Sequence, residues 1–234
     1  MQHDIARENN RKLNSLNLIE RLNFISKTTP HSVFTTSLGK EDQLITHLIA
    51  ENKIDLRIIT LQTGRLHPKT LSLIDETKHR YSVDIEEYHP DRRLVDEYKA
   101  QFGLNGFYES IEARHKCCEI RKLNPLAIAL SDADGWVTGL RRSQSDNRDQ
   151  VPFCEWSPQY ELFKFNPLAD LDADALEDLI IKNNIPINAL HARGYPSIGC
   201  EPCTRAIKPD EHSRAGRWWW EQNNARECGL HASK

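Results

Sequence analysis

No stretch of the 234 residues is apolar for long enough to cross a bilayer, which takes about twenty consecutive apolar residues, so no membrane association is expected. The opening Met1-Gln2-His3-Asp4 lacks the basic and apolar segments of a secretory leader. These two absences point to a cytoplasmic protein. Positive charge is not in excess either. Thirty-one Lys and Arg against 34 Asp and Glu give a formal net charge of −3, which excludes a protein that holds nucleic acid through bulk charge. A small anionic substrate would need a local pocket of Arg and Lys. Internal repeats and low-complexity tracts are absent as well.

What is present fits one sizeable domain with a tail. A hydrophobic content of 38% supports a buried core, and a charged fraction of 28% suits a solvated surface. Residues 1–30 read as a helical cap, with Leu13, Leu16, Leu18, Ile19, Leu22 and Ile25 forming a ragged apolar face. From residue 31 strands alternate with helices. Ser32–Thr36, Leu56–Leu61, Val83–Glu87 and Trp136–Gly139 read as strands. Helices are expected over about 42–50, from Pro68 onward, over 91–101 and over 118–130. This alternation predicts an α/β fold with a mostly parallel sheet flanked by helices. Ligands of such sheets bind beyond the carboxyl ends of the strands, so the loops at 37–41, 62–67 and 139–148 are the expected site. The α/β domain is drawn over 31–212, and residues 213–234 form a tail.

Several groups of residues carry chemistry. Ser37 and Gly39 stand between a strand and a helix, where backbone N–H groups can face an anion. An ordinary capped turn would look the same. Cys117 and Cys118 are adjacent, and Cys200 and Cys203 form a C-x-x-C pair. Four thiolates can hold a 4Fe–4S cluster or a zinc ion. Adjacent ligands strain a single tetrahedral ion but reach separate iron corners more easily, which favours the cluster. In a reducing cytosol, disulfides are the weaker reading. Lys122, four residues after Cys118, falls one helical turn along the same face. Arg141, Arg142 and Arg148, with Arg214 and Arg217, form two guanidinium clusters suited to sulfate or phosphate oxygens. Cys228, near the chain end, has arginines and His231 in reach to raise its thiolate fraction. Cys154, in Pro152-Phe153-Cys154-Glu155-Trp156, reads as a packed residue.

Together these pieces resemble the adenylyl-sulfate and phosphoadenylyl-sulfate reductases from about Thr35 to His231. The marks are Lys116-Cys117-Cys118-Glu119-Ile120-Arg121-Lys122, Tyr195 to Thr204, Ala215-Gly216-Arg217-Trp218-Trp219-Trp220-Glu221 and Glu227-Cys228-Gly229-Leu230-His231. The resemblance implies an adenine nucleotide alpha hydrolase-like fold with a mobile C-terminal tail and Cys228 as nucleophile. It implies a substrate site of Ser37, Gly39, Lys122, Gly139, Arg148, Arg214, Arg217 and His231. It also implies one 4Fe–4S cluster per subunit on Cys117, Cys118, Cys200 and Cys203, the mark of a branch that mostly uses adenylyl sulfate. Thiolate attack would release AMP and leave an S-sulfocysteine. No second free thiol lies near Cys228, so thioredoxin or glutaredoxin is the expected partner that frees sulfite. Reduction of the 3′-phosphorylated nucleotide, tRNA thiolation and redox sensing are the alternatives; the −3 charge counts against the tRNA reading. A homo-oligomer is compatible with the sequence but not specified by it. Two departures stand out. Related pyrophosphatases carry a Ser-Gly-Gly-Lys-Asp-Ser type loop, broken here by Leu38, Glu41 and Asp42, which argues against ATP cleavage. Gln62 and Leu171 replace the Asp and Trp usual in the family.

Overall fold

The computed structural model describes residues 1–144 and 148–221. Its sheet has six strands: β1 (Ser32–Thr36), β2 (Arg57–Leu61), β3 (Glu86–Tyr88), β4 (Gly135–Val137), β5 (Cys154–Ser157) and β6 (Leu162–Phe165). They lie in the order β3-β2-β1-β4-β6-β5. β1 pairs in parallel with β2 and β4, and β4 with β6; β5 runs antiparallel to β6 at the edge. The sheet is therefore mixed and mostly parallel, as the alternation implies. Val33 and Phe34 of β1 are both fully buried although neighbouring side chains point to opposite faces, so this strand is covered on both sides.

The chain forms two compact units. The first comprises Met1–Thr60, Ser72–Glu86 and Ala129–Ile187, and the second Leu61–Leu71, Glu87–Ile128 and Asn188–Lys234. In the first unit, Phe34, Ile45, Ile58, Val137 and Phe165 build the core. The helix α3 (Lys40–Glu51) contributes Leu44, Ile45 and Ile49 to it. The second unit has a smaller core of Val95 and Tyr98, from α5 (Arg92–Phe102), and Ile120. Among the described residues, no helix is long and apolar enough to cross a membrane.

Several elements differ from the sequence reading. The N-terminal cap is two helices, α1 (Gln2–Asn14) and α2 (Leu18–Thr28). They separate at Asn17, which forms a capping box with Glu20 that favours a fresh helix start. Leu13, Leu22 and Ile25 enter the core of the first unit. The third strand begins three residues later than Val83, at Glu86. The helix expected over 118–130 is three pieces: α6 (Ile111–Cys118), a π turn (Glu119–Leu123) and α7 (Asn124–Ala129). Pro125 lacks the N–H that an α-helix would aim at the Arg121 carbonyl, and its ring would crowd that oxygen. The wider turn, in which the Asn124 N–H bonds to the Glu119 carbonyl, relieves both problems. The β5–β6 hairpin and the helix α8 (Ala173–Lys182) were not expected.

Candidate active site

In the first unit, the loop after β1 is closed by its own helix. The Asp42 carboxylate accepts hydrogen bonds from the Ser37 backbone N–H at 2.7 Å and the Ser37 hydroxyl at 2.6 Å. Gly139, after β4, presses against the same carboxylate so closely that a β-carbon there would collide with it. Burial pushes the Asp42 carboxyl up to about 6, against the pull of its Ser37 and Gly139 hydrogen bonds. Glu41 holds the loop after β4: its carboxylate accepts from Arg141 at 2.8 Å and from the Gln144 amide at 3.0 Å. Burial would raise Glu41, but Gln144 and Arg141 outweigh it and leave the group below its usual range. Ser37, Gly39 and Gly139 thus gather around an acidic pair.

The arginine run after β4 divides by role. Arg141 is buried on Glu41, and Arg142 donates to the Val151 carbonyl at 2.9 Å and stacks on Phe153. Both therefore support structure and leave the expected oxyanion pocket without two of its members. Arg148 donates to Gln144 at 2.6 Å. Cys154 lies beneath α1, bracketed by Asn9 and Asn10, and burial pushes its thiol up to about 12. It is a packed, inert thiol, as its flanking residues imply. Leu171 packs against the core of this unit.

In the second unit, all four cysteines of the expected ligand set line one small cavity, together with Arg65, Arg121 and Lys122. Cys117 and Cys118 arrive at the end of α6. Cys200 is brought in by a short bridge to Leu66 and by the Glu201 N–H bonding to the Arg65 carbonyl at 2.8 Å. The loop at 62–67 is therefore a support for the cysteine pair. Within it, Gln62 accepts from the Gly64 N–H at 3.3 Å. Lys122 reaches the cavity as expected, but on a π turn and not an α turn. Burial would raise the Cys200 thiol; Lys122, the Thr63 hydroxyl at 3.4 Å, Arg217 and Arg121 outweigh it and bring the thiol below its usual range. Cys203 moves the other way, to about 12, because of burial and the neighbouring Cys200.

The surroundings of the four thiols fit an iron–sulfur cluster. The buried Tyr98 hydroxyl, Trp218 indole N–H and Arg217 Nε find no hydrogen-bond partner among the described residues. Tyr98 feels the charges of Cys117, Cys118 and Cys203, and Trp218 lines the cavity itself. Buried donors are costly to leave unpaired, and anionic sulfur would be an acceptor for them. No three His, Cys, Asp or Glu side chains among the described residues are grouped as a single metal ion requires.

Arg217 is buried, stacks on Trp218 at 4.6 Å and lies within 3.3 Å of the Ile198 carbonyl. A β-carbon at Gly199 would press on its guanidinium and force the Arg217 side chain to shift. Arg214 is half-buried nearby in sequence. Cys228 and His231 lie outside the described residues. Asp42, Thr63, Tyr98 and Trp218 are site features that the sequence reading did not select; their roles depend on tertiary neighbours.

The comparisons with known proteins agree with this architecture. The fold is α/β, with a mostly parallel sheet. A phosphoadenylyl-sulfate reductase crystal structure from Candida auris superposes with a TM-score of 0.76 at 24% identity, covering 88% of this chain and 98% of that one. An FMN adenylyltransferase from Candida glabrata superposes at 0.53 with 14% identity over 97% of this chain and 83% of that one. The chain belongs to the Phosphoadenosine phosphosulfate reductase domain family, whose profile matches residues 31–206. Among its relatives, the adenosine 5'-phosphosulfate reductase of Rhizobium meliloti (strain 1021) is 55% identical over 95% of this chain and 84% of its own length. The protein of that name from Allochromatium vinosum is 46% identical over 91% of this chain and 83% of its own length.

Proposed function

We propose that this chain reduces adenylyl sulfate to sulfite and AMP, using electrons from an external dithiol. The observation that carries this reading is the 55% identity to a relative named for that activity, spread over nearly the whole chain. Ser37, Gly39, Gly139 and Arg148 contribute to nucleotide binding. Lys122, Arg214, Arg217 and His231 answer the charge of the reacting group. Cys228 attacks the sulfonate sulfur as a thiolate; the bond from sulfur to the phosphate oxygen breaks and AMP departs. A thiol of thioredoxin or glutaredoxin then attacks the Cys228 sulfur and sulfite leaves. The donor's second thiol resolves the mixed disulfide, so two thiols supply both electrons. We read it as a cytoplasmic enzyme of assimilatory sulfate reduction.

Cys117, Cys118, Cys200 and Cys203 would hold one 4Fe–4S cluster. The reading is supported by four thiols lining one cavity and by the unpaired donors of Tyr98 and Trp218 beside them. Such a cluster would orient its neighbours and tune the local field without itself carrying the electron pair. Lys122 and Arg217 hold positive charge beside it, and Arg121 fixes the turn by donating to the Thr63 carbonyl at 2.7 Å.

The test is anaerobic purification, with iron and sulfide counted, and sulfite release assayed on adenylyl sulfate and its 3′-phosphorylated form. About four irons per chain and preference for the unphosphorylated nucleotide are expected. Mass spectrometry after substrate without reductant should find about 80 Da, one SO₃ group, added to Cys228. The adduct on Cys154 instead, or sulfite release at the native rate by Cys228→Ser, would end the scheme.

A further inference from the structure

Arg65 is a cation beside the four cysteines to which the chemistry above gives no role. It stands in the 62–67 loop and lines the cysteine cavity together with Phe107, Cys117, Cys118, Cys200 and Cys203. Its backbone is fixed from two sides. The Arg65 N–H donates to the Thr63 hydroxyl at 3.2 Å, and its carbonyl accepts from the Glu201 N–H at 2.8 Å. The next residue, Leu66, bridges to Cys200.

The side chain reaches the segment that precedes the other cysteine pair. Its guanidinium donates to the Leu104 carbonyl at 3.3 Å and to the Asn105 side-chain oxygen at 2.8 Å. It also lies over the Phe107 ring, 5.3 Å from the centroid. Phe107 is buried in the short turn Gly106–Tyr108, ahead of the helix α6 that ends in Cys117 and Cys118. These partners are all neutral. Among the described residues no carboxylate pairs with Arg65. Two other arginines of the second unit do have one: Arg114 pairs with Glu221, and Arg205 with Glu211.

A half-buried guanidinium that gives up water without meeting an anion carries a desolvation cost. A carbonyl, an amide oxygen and a ring face offset part of it. The cavity that Arg65 lines supplies the anion, because cysteines that hold metal do so as thiolates. Burial raises the Cys117 thiol, and the charges of Arg121 and Arg65 oppose that rise.

We infer that Arg65 is a counter-charge for the iron–sulfur cluster: its guanidinium, held by Asn105 and Phe107, stabilises the negative charge gathered on the cysteine thiolates. The inference rests on the cluster proposed for Cys117, Cys118, Cys200 and Cys203. A fixed positive charge favours the reduced, more negative form of a cluster, so the midpoint potential reports it directly. The competing role is mechanical, a brace from the Cys200 loop to the turn before α6. Lysine separates the two. It keeps the charge but lacks the planar fork that binds Leu104 and Asn105 and stacks on Phe107. Methionine keeps a long apolar stem and loses the charge.

The experiment uses Arg65→Met and Arg65→Lys as full chains loaded with iron under anaerobic conditions. Iron and sulfide are counted, and the midpoint potential is read by protein-film voltammetry. In Arg65→Met, reduction should become about tenfold less favourable, which is about 59 mV more negative for one electron. Arg65→Lys should recover more than half of that shift, and both variants should keep about four irons. Iron kept by Arg65→Lys and lost by Arg65→Met supports the same conclusion, since the charge is what lysine retains. Equal shifts in the two variants, or none in either, overturn the proposal. Loss of iron from both overturns it too, because Arg65 would then brace the ligand loops. A wild-type chain that binds no cluster is a different failure: it removes the cluster reading itself.

Discussion

Leu38 shows how one residue can keep a loop's backbone while changing its chemistry. Its φ of 59° is a glycine-like conformation, at the position where a pyrophosphatase loop of the Ser-Gly-Gly-Lys-Asp-Ser type has glycine. That backbone costs a leucine about 1–2 kcal/mol, whereas burying its side chain gains about 1.5–3 kcal/mol. Leu38 is 1% exposed and packs on Leu73 and Ile74. Leu38→Gly should therefore destabilise the protein by about 1 kcal/mol, with glycine's added chain entropy increasing the loss. Urea denaturation checks this; a gain in stability would mean that backbone strain outweighs burial. Asp42 gives a pH prediction from the same loop. Its folded pKa is raised from 3.8 to about 6 by burial. Its contribution to stability is therefore fully present below about 3.8 and is lost as pH rises through about 6. The shift corresponds to an effect on the order of 3 kcal/mol. Asp42→Asn should remove that dependence, so the stability of wild type relative to the variant should fall between pH 4 and pH 7. Parallel denaturation curves at the two ends of that range would contradict it.

The π turn is the element on which the second unit's site depends. Pro125 forbids the α-helical hydrogen bond to Arg121, and the widened Glu119–Leu123 turn carries Lys122 to the cysteine cavity. Pro125→Ala restores the missing N–H and lets the turn tighten toward an α-helix. Turnover should then fall several-fold, in line with the sensitivity of catalysis to small displacements, while iron content is kept. Sulfite release per iron measures this, and an unchanged rate would show that Lys122 does not need the π turn. This element also marks where the sequence was legible. The four cysteines, Lys122 and Arg217 stand out because their residue types and spacing carry chemistry. The cysteines and Lys122 line one cavity and Arg217 stacks on Trp218 of the same lining, although a π turn stands where an α turn was expected between Cys118 and Lys122. The β5–β6 hairpin escaped notice because its strands have four residues each, with Glu155 and Lys164 paired across them at 2.9 Å. By contrast, α8 has a readable signal, the Asp172 side chain accepting from the Ala175 N–H at 2.7 Å. Tyr98 and Thr63 could not have been selected, because the unpaired Tyr98 hydroxyl and the Thr63 hydroxyl that meets Cys200 are defined by neighbours distant in sequence.

At the scale of the whole molecule, the two units are stabilised by different means. The first has an extended apolar core including Phe34, Ile45, Ile58 and Phe165 beneath a sheet. The second has a smaller core of Val95, Tyr98 and Ile120, and within it the Cys117–Cys118 and Cys200–Cys203 segments are far apart in sequence. A cluster joining them would close a long loop, and metal binding of that kind contributes directly to folding. Without it, four thiols and the Trp218 indole N–H would face a cavity with no partner for that donor among the described residues. Iron removal by a chelator under anaerobic conditions should therefore act unevenly. Amide exchange should accelerate across Ile111–Leu123 and 198–205, where both cysteine pairs sit. It should stay slow in β1, β4 and β6, whose hydrogen bonds and apolar contacts contain none of the four cysteines. Hydrogen exchange read by mass spectrometry, with and without chelator, provides the comparison. Equal protection of the cysteine segments before and after iron loss would mean that the second unit folds without its metal. The cysteine cavity would then be a preformed site and not one completed by the cluster.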